Sequence, residues 1–287
     1  MIKGIDIAHY QNDAGPINFG RVKAAGITFA MIKATEGVSY IDPCFKSNAA
    51  AAIAAGLPIG VYHFLRAGSV ADQVRDCLAA IKPYRITWPV AVDVEHTELM
   101  ALGEDKLTDM VLDFCARIKA AGYQPMVYSN RDWYYGSKRL DVDRIRAAGI
   151  PIWMAWYSSA APENTDRSSL CDMWQYASDG RVDGITGNVD CNVSYRDFGA
   201  PQTAVKIDTT MDVEKPAGSV YTFRTNCNQQ PTVTVGTPGV VTLIHCRREM
   251  DADYYHIVFT GKPGDAAGIY TAAPGEQPLK RFVAKIK

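Results

Sequence analysis

The chain has no apolar run near the roughly 20 residues that a membrane-spanning helix requires, so no transmembrane segment is expected. It has no excess of either charge: 30 Lys and Arg against 31 Asp and Glu leave a formal net charge of −1. Proteins that hold polyanions carry a basic excess, and a nucleic-acid partner is therefore not expected. No CxxC pair occurs among the seven cysteines, which argues against a zinc site. Their odd number argues against a complete disulfide framework. Neither a metal nor another cofactor is expected. Cys77 and Cys115 fall within helical patterns and read as small buried hydrophobes, while a Cys227–Cys246 pairing stays open. The start, Met1-Ile2-Lys3-Gly4-Ile5-Asp6, runs straight into a strand and lacks the basic, apolar and cleavage regions of a secretory signal. Synthesis in the cytoplasm without a signal peptide is the expectation.

What is present is the balance of a globular protein, 47% hydrophobic and 21% charged residues. A length of 287 residues suits one large domain or a large and a small one. Ala-Ala-Gly recurs at 24–26, 54–56, 120–122 and 147–149, each time closing a helical pattern with Gly at the left-handed C-cap position. An apolar strand follows each. Asp42-Pro43 and Ser69 read as helix starts. Repeated βα units predict a parallel sheet covered by helices. Strands are expected at 4–9, 28–34, 59–65, 90–95, 126–130, 152–157, 172–176 and 189–193. Eight of them favour a closed (β/α) TIM-like barrel, with a doubly wound open sheet as the alternative. The connectors 158–169 and 177–187 are rich in Gly, Ser, Asp and Pro and show no helical period, so the outer helix ring is expected to be incomplete.

Near residue 200 the pattern changes to short alternating stretches at 220–225, 232–235, 240–246, 254–259, 269–271 and 282–286, separated by turns such as Lys262-Pro263-Gly264-Asp265. This predicts a catalytic-sized domain over 1–203 and a small antiparallel β domain over 204–287. Residues 205–287 hold ten Lys/Arg and eight Asp/Glu, a net of +2, which leaves −3 for the first 204.

The chemistry gathers on Val90-Ala91-Val92-Asp93-Val94-Glu95. Strand alternation puts the valines on one face and both carboxylates on the other, roughly 6–7 Å apart. Acids that close titrate differently, giving one acid and one base. Asp6 and Asp190 alternate the same way on the first and last strands, which are neighbours in a closed barrel, and Glu36 ends the second. Reacting groups of βα barrels sit at strand C-termini. A ring of carboxylates repels itself, so a structural role does not explain it. Tyr62, Tyr128, Trp156, Trp174 and Tyr176 stand at strand ends, where ring faces suit a sugar. His63 and His96 lack metal-ligand spacing and read as structural; Ser129 has no adjacent base, which excludes a nucleophilic triad.

Taken in order, Gly4-Ile5-Asp6-Ile7-Ala8, Ile32-Lys33-Ala34-Thr35-Glu36-Gly37, Gly60-Val61-Tyr62-His63-Phe64, Asp93-Val94-Glu95, Tyr128-Ser129, Trp174-Gln175-Tyr176 and Val189-Asp190 resemble glycoside hydrolase family 25. These are lysozymes of the N-acetylmuramidase type from phages, bacteria and some fungi. The resemblance covers about residues 1–199; Ala8 stands where many members carry Ser. It implies cleavage of the β-1,4 bond from N-acetylmuramic acid to N-acetylglucosamine in bacterial peptidoglycan. Glu95 would be the general acid, Asp93 the supporting carboxylate, and Asp6 and Asp190 would complete the catalytic set. Glu36, Tyr62, Tyr128, Trp156, Trp174 and Gln175 are the expected substrate-binding residues. Net retention is implied, by direct attack of a carboxylate or with the 2-acetamido group. The missing leader and odd cysteines fit a phage-type endolysin, and the C-terminal domain fits a wall-polymer binder. Two rivals remain: a chitinase-type hydrolase, although Trp88 and Ala91 stand where its earlier acids belong, and a non-catalytic wall-binding protein.

Overall fold

The structure, a computed structural model, describes residues 1–158, 161–199, 204–227, 230–249, 252–273 and 276–287. It divides into two compact units, Met1–Gly199 and Ala200–Lys287. The expected boundary at 203 lies outside the described residues.

The first unit contains strands β1 (Ile2–Ile7), β2 (Phe29–Glu36), β3 (Tyr40–Ile41), β4 (Ile59–Phe64), β5 (Val90–Asp93), β6 (Pro125–Asn130), β7 (Ile152–Ala155), β8 (Met173–Gly180) and β9 (Val189–Ser194). All but β3, which hangs on the end of β2, form an eight-stranded barrel closed by the β1–β2 pairing. The expectation of an all-parallel sheet is corrected at the last strand. β9 runs antiparallel to both β8 and β1. Residues 181–188 form the whole connection, too short for the crossover that a parallel return demands.

Helices α1 (Phe19–Ala24), α2 (Phe45–Ala54), α3 (Val70–Ile81), α4 (Glu104–Ala120) and α5 (Val142–Ala147) pack outside the strands. Four of them end as their Ala-Ala-Gly signatures demand: Gly26, Gly56, Gly122 and Gly149 have φ of 89°, 66°, 88° and 70°. The N–H groups of Leu57, Tyr123 and Ile150 then reach back to Ala52, Ile118 and Ile145, the six-to-one bond of a Schellman cap. Ser69 caps α3 through Asp72 N at 3.3 Å. Asp42 instead accepts from Cys44 N at 2.9 Å, so α2 starts two residues later than Pro43 suggested. Between β7 and β8, and between β8 and β9, no α-helix occurs among the described residues.

Strand alternation separates two cores. Outward residues such as Ile5, Ile7, Val90, Val92 and Val94 join Val111, Phe114 and Ile118 of α4. Inward residues Phe29, Met31, Ala91, Met126, Trp153 and Met173 fill the barrel. Phe29 stacks on Trp88 at 3.7 Å across its lower end. Gly60 faces this interior; a Cβ there would lie 2.5 Å from Met31 Sδ and 2.7 Å from the Pro89 carbonyl.

The second unit has strands β10 (Lys206–Ile207), β11 (Val213–Lys215), β12 (Val220–Asn226), β13 (Thr232–Val235), β14 (Val241–Glu249), β15 (Ala252–Phe259), β16 (Ala266–Ala272) and β17 (Leu279–Ile286). They form two four-stranded sheets, β10-β12-β15-β14 and β11-β17-β16-β13. Phe223, Ile257 and Phe259 of one sheet pack with Ile269, Phe282 and Ile286 of the other. Pairing is antiparallel except for β11, which lies parallel to β17. Among the described residues no disulfide forms, so Cys227 and Cys246 are not bridged.

Candidate active site

The strand order brings Asp6, Asp93, Glu95 and Asp190 to one end of the barrel. Asp6 lies in β1 and Asp93 closes β5, both facing inward and 5% exposed. Glu95 follows two residues beyond β5. Its segment is held by Val94, whose N–H donates to the Tyr128 carbonyl at 2.9 Å and whose carbonyl accepts from Ser129 Oγ at 2.6 Å. Ser129 is thus fully engaged in structure. Asp190 sits at the N-terminal end of β9, directly opposite Asp6 in register. The reversed strand therefore delivers its first residues, not its last, to the mouth.

Every one of these acids has its pKa raised, and burial is the first cause in each case. Asp93 and Asp6 are pushed well above the carboxylate range, Asp93 with help from the charge of Glu95 and Asp6 with help from Asp190. Asp190 is pushed up to about 6. Glu95 is solvent-accessible as a residue, but the rim around its carboxyl removes enough water to raise it, against the pull of Lys33. Between the two, the Coulombic effect falls on Asp93, the more deeply enclosed partner. Among the described residues, Asp93 Oδ1 is buried with no hydrogen-bond partner.

A polar floor supports the acids. Gln175 Nε2 donates to Asp6 Oδ2 at 2.9 Å, and Asn192 Nδ2 donates to the same oxygen at 2.7 Å. Tyr128 and Tyr157 each donate to Gln175 Oε1 at 2.8 Å. Trp153 donates to Asn192 Oδ1 at 2.8 Å and lies edge-on to Tyr128 and Tyr62. Burial, helped by the charges of Asp6, Asp93 and Asp190, raises the Tyr62 phenol. Beside the acids lies a groove of about 450 Å³ lined by His9, Tyr10, Lys33, Glu36, Tyr40 and Arg66, among others. Lys33 Nζ meets Glu36 Oε2 at 2.7 Å, and Arg66 bridges Glu36 and Glu98 at 2.9 and 2.7 Å.

Trp174 and Trp156 do not line this cleft. Trp174 is fully buried in the outer layer, donating to the Trp156 carbonyl at 2.8 Å. The Trp156 ring carries the Arg167 guanidinium at 3.3 Å and that of Arg131 at 4.4 Å. Tyr176 also faces the outer layer. The physical reason is the pleat: with Met173 and Gln175 inward, residues 174 and 176 must face out, and with Trp153 and Ala155 inward, Tyr157 follows them. That same alternation signals Tyr157, Trp153 and Asn192, which the sequence reading passed over. His63 is buried between Thr35 at 2.8 Å and Gln73 at 3.0 Å on the outer face, and burial lowers its pKa to about 4. Among the described residues no group of three or more His, Cys, Asp or Glu is arranged to hold a metal ion.

Comparison with known proteins agrees with this geometry. The family described as glycosyl hydrolases family 25 matches residues 5–185, a span that ends just before β9. Lysozyme M1 of Streptomyces globisporus is 34% identical over 201 residues, covering 67% of this chain and 67% of that protein. The autolytic lysozyme of Clostridium acetobutylicum is 33% identical over 191 residues, 66% of this chain but only 54% of that longer protein. A crystal structure of the bacterial lysozyme from Streptomyces coelicolor matches with a TM-score of 0.57 at 32% identity, over 68% of this chain and 92% of that one. A matched span that takes in the barrel through β8, with Asp6, Asp93 and Glu95 inside it, settles the relationship: the chain belongs to glycosyl hydrolase family 25.

Proposed function

We propose that the chain is a lysozyme that hydrolyses the β-1,4 bond between N-acetylmuramic acid and N-acetylglucosamine in bacterial peptidoglycan. The observation that carries the reading is the convergence of four carboxyl groups, all with raised pKa, on one barrel mouth beside an open groove. Glycoside hydrolysis needs a protonated carboxyl for the leaving oxygen and a second group for the anomeric carbon. Glu95, the most accessible of the four, hands its proton to the O4 of the departing glucosamine. The 2-acetamido oxygen attacks C1 as that bond breaks, and a neighbouring carboxylate, Asp93 or Asp190, accepts the acetamido N–H. Glu95, now ionised, takes the proton of the water that opens the cyclic intermediate, which gives net retention. Tyr62, Tyr128 and Tyr157 present rings and hydroxyls to the sugar, and Glu36 closes the groove side.

The fold reading that goes with this is a TIM-like barrel whose eighth unit is inverted, spanning residues 1–203. Residues 204–287 form a wall-polymer-binding domain that holds the enzyme on an insoluble substrate. The enzyme accumulates in the cytoplasm and reaches the wall when the membrane is breached, as a phage endolysin does. Digestion of purified peptidoglycan with mass analysis of the new reducing ends tests the central claim. Muramic acid ends support it; glucosamine ends, or cleavage of chitin oligomers alone, overturn it. Glu95→Gln is expected to lower turnover by at least about a thousandfold with the fold intact. Near-normal turnover in that variant removes Glu95 from the role.

A further inference from the structure

Glu95 stands just beyond β5, and among the described residues its carboxyl takes part in no hydrogen bond. Where that carboxyl points is therefore set by the backbone that carries it, and the backbone is pinned on both sides. On the N-terminal side Val94 is tied to Tyr128 and Ser129, and the Asp93 carbonyl accepts from Leu65 N–H at 2.9 Å. On the C-terminal side the chain enters a short 3-10 helix, Thr97–Leu102, where His96 Nδ1 accepts from Glu98 N–H at 3.3 Å. The Glu98 carboxylate then reaches across to the segment that follows β4. Its Oε1 accepts from Arg66 Nε at 2.7 Å and from Ala67 N–H at 2.9 Å, and its Oε2 accepts from Arg66 Nη2 at 3.2 Å. A two-pronged bond from guanidinium to carboxylate fixes angle as well as distance.

Arg66 is itself held from two more directions. Gln73, fully buried on α3, accepts from Arg66 N–H at 3.0 Å and donates to the Arg66 carbonyl at 2.8 Å, so the backbone under the guanidinium is clamped. Arg66 Nη1 donates to Glu36 Oε1 at 2.9 Å, and Lys33 Nζ donates to the other oxygen of Glu36 at 2.7 Å. An isolated exposed ion pair contributes little, but here one guanidinium ties the turn after β5 to the end of β2 and to α3. We infer that Arg66 and Glu98 are positioning residues: their fork holds the turn that follows β5 and, through it, the direction of the Glu95 carboxyl. Without the fork every acid of the cleft remains in the chain, but Glu95 is free to swing. A displacement of about 1 Å at a reacting group can lower turnover about a hundredfold. The effect on catalysis rests on the lysozyme reading; the brace itself does not.

The test uses the full-length protein and the variants Arg66→Met, Arg66→Lys, Glu98→Gln and the double variant Arg66→Met with Glu98→Gln. Amide hydrogen exchange without substrate reads the brace. In each variant, exchange over residues 94–98 is expected to quicken at least about tenfold, while β6 and β7 keep their wild-type rates. Unchanged exchange at 94–98, or an equal rise across the whole barrel, overturns the inference. Turnover of soluble peptidoglycan fragments reads the consequence. Arg66→Met and Glu98→Gln are each expected to lower kcat about tenfold to a hundredfold with KM within about twofold, and the double variant to lose little more than either single. Arg66→Lys keeps the charge without the fork and is expected to recover little. A raised KM with kcat kept makes these residues substrate contacts of the groove, and overturns the inference; so do losses that multiply in the double variant, or full recovery in Arg66→Lys. Wild-type digestion of peptidoglycan, run alongside, reports on the lysozyme reading alone, and the exchange result stands whichever way it falls.

Discussion

Asp190 and His63 carry opposite pH signatures. The folded pKa of Asp190, about 6, lies above its usual 3.8, so the folded state holds this proton more tightly than the unfolded chain does. The group then costs stability above pH 6, and the cost disappears as pH falls from 6 towards 3.8. Asp190→Asn is expected to be roughly 1–3 kcal/mol more stable at pH 7 and no more stable at about pH 4, as read by denaturant unfolding. His63 runs the other way: its folded pKa of about 4 lies below the unfolded 6.5, so stability is lost as pH drops through that window. In His63→Phe the loss of melting temperature between about pH 6.5 and 4.5 should be shallower. Overall stability should be lower, since Thr35 and Gln73 are left without their shared partner. The acids and His63 were legible in the sequence because a period of two assigns each to a face. Trp156 and Trp174 were misread because ring chemistry was given precedence over that period. Tyr157 would have emerged from counting on from Trp153.

At the scale of elements, the Ala-Ala-Gly signatures were legible because a left-handed cap demands one particular residue. The hand of the last strand was not read, although its cause stood in the sequence: the connector at 181–188 is too short for a parallel return. Asp190 was placed at the right mouth on a wrong account of direction, since antiparallel pairing with β1 puts the start of β9 where the other strands end. Two kinds of glycine should differ in cost. Gly122→Ala meets no neighbour within 4 Å and suffers only its positive φ, which amounts to about 1 kcal/mol. Gly60→Ala drives a methyl into Met31 and the Pro89 carbonyl, and is expected to cost about 2–3 kcal/mol or more. Thermal unfolding of the two variants under one buffer distinguishes them.

For the whole molecule, two units with separate cores set the expectation for truncation. A chain ending at Gly199 should retain turnover on soluble peptidoglycan fragments within about twofold, while its sedimentation with intact walls should fall by tenfold or more. Equal wall retention with and without residues 204–287 would rule out anchoring by that segment. The composition change near residue 200 made the second unit legible, but not its ligand, since a net of +2 is too slight to select one. The inverted ninth strand has a consequence for the order of the chain itself. Ile2 pairs with Ser194, so the barrel's first and last residues lie side by side at the end away from the acids. A short linker between them would make the barrel a continuous loop. New termini could then be cut into the connector at 181–188 or beyond α5, yielding circular permutants that keep every strand pairing intact.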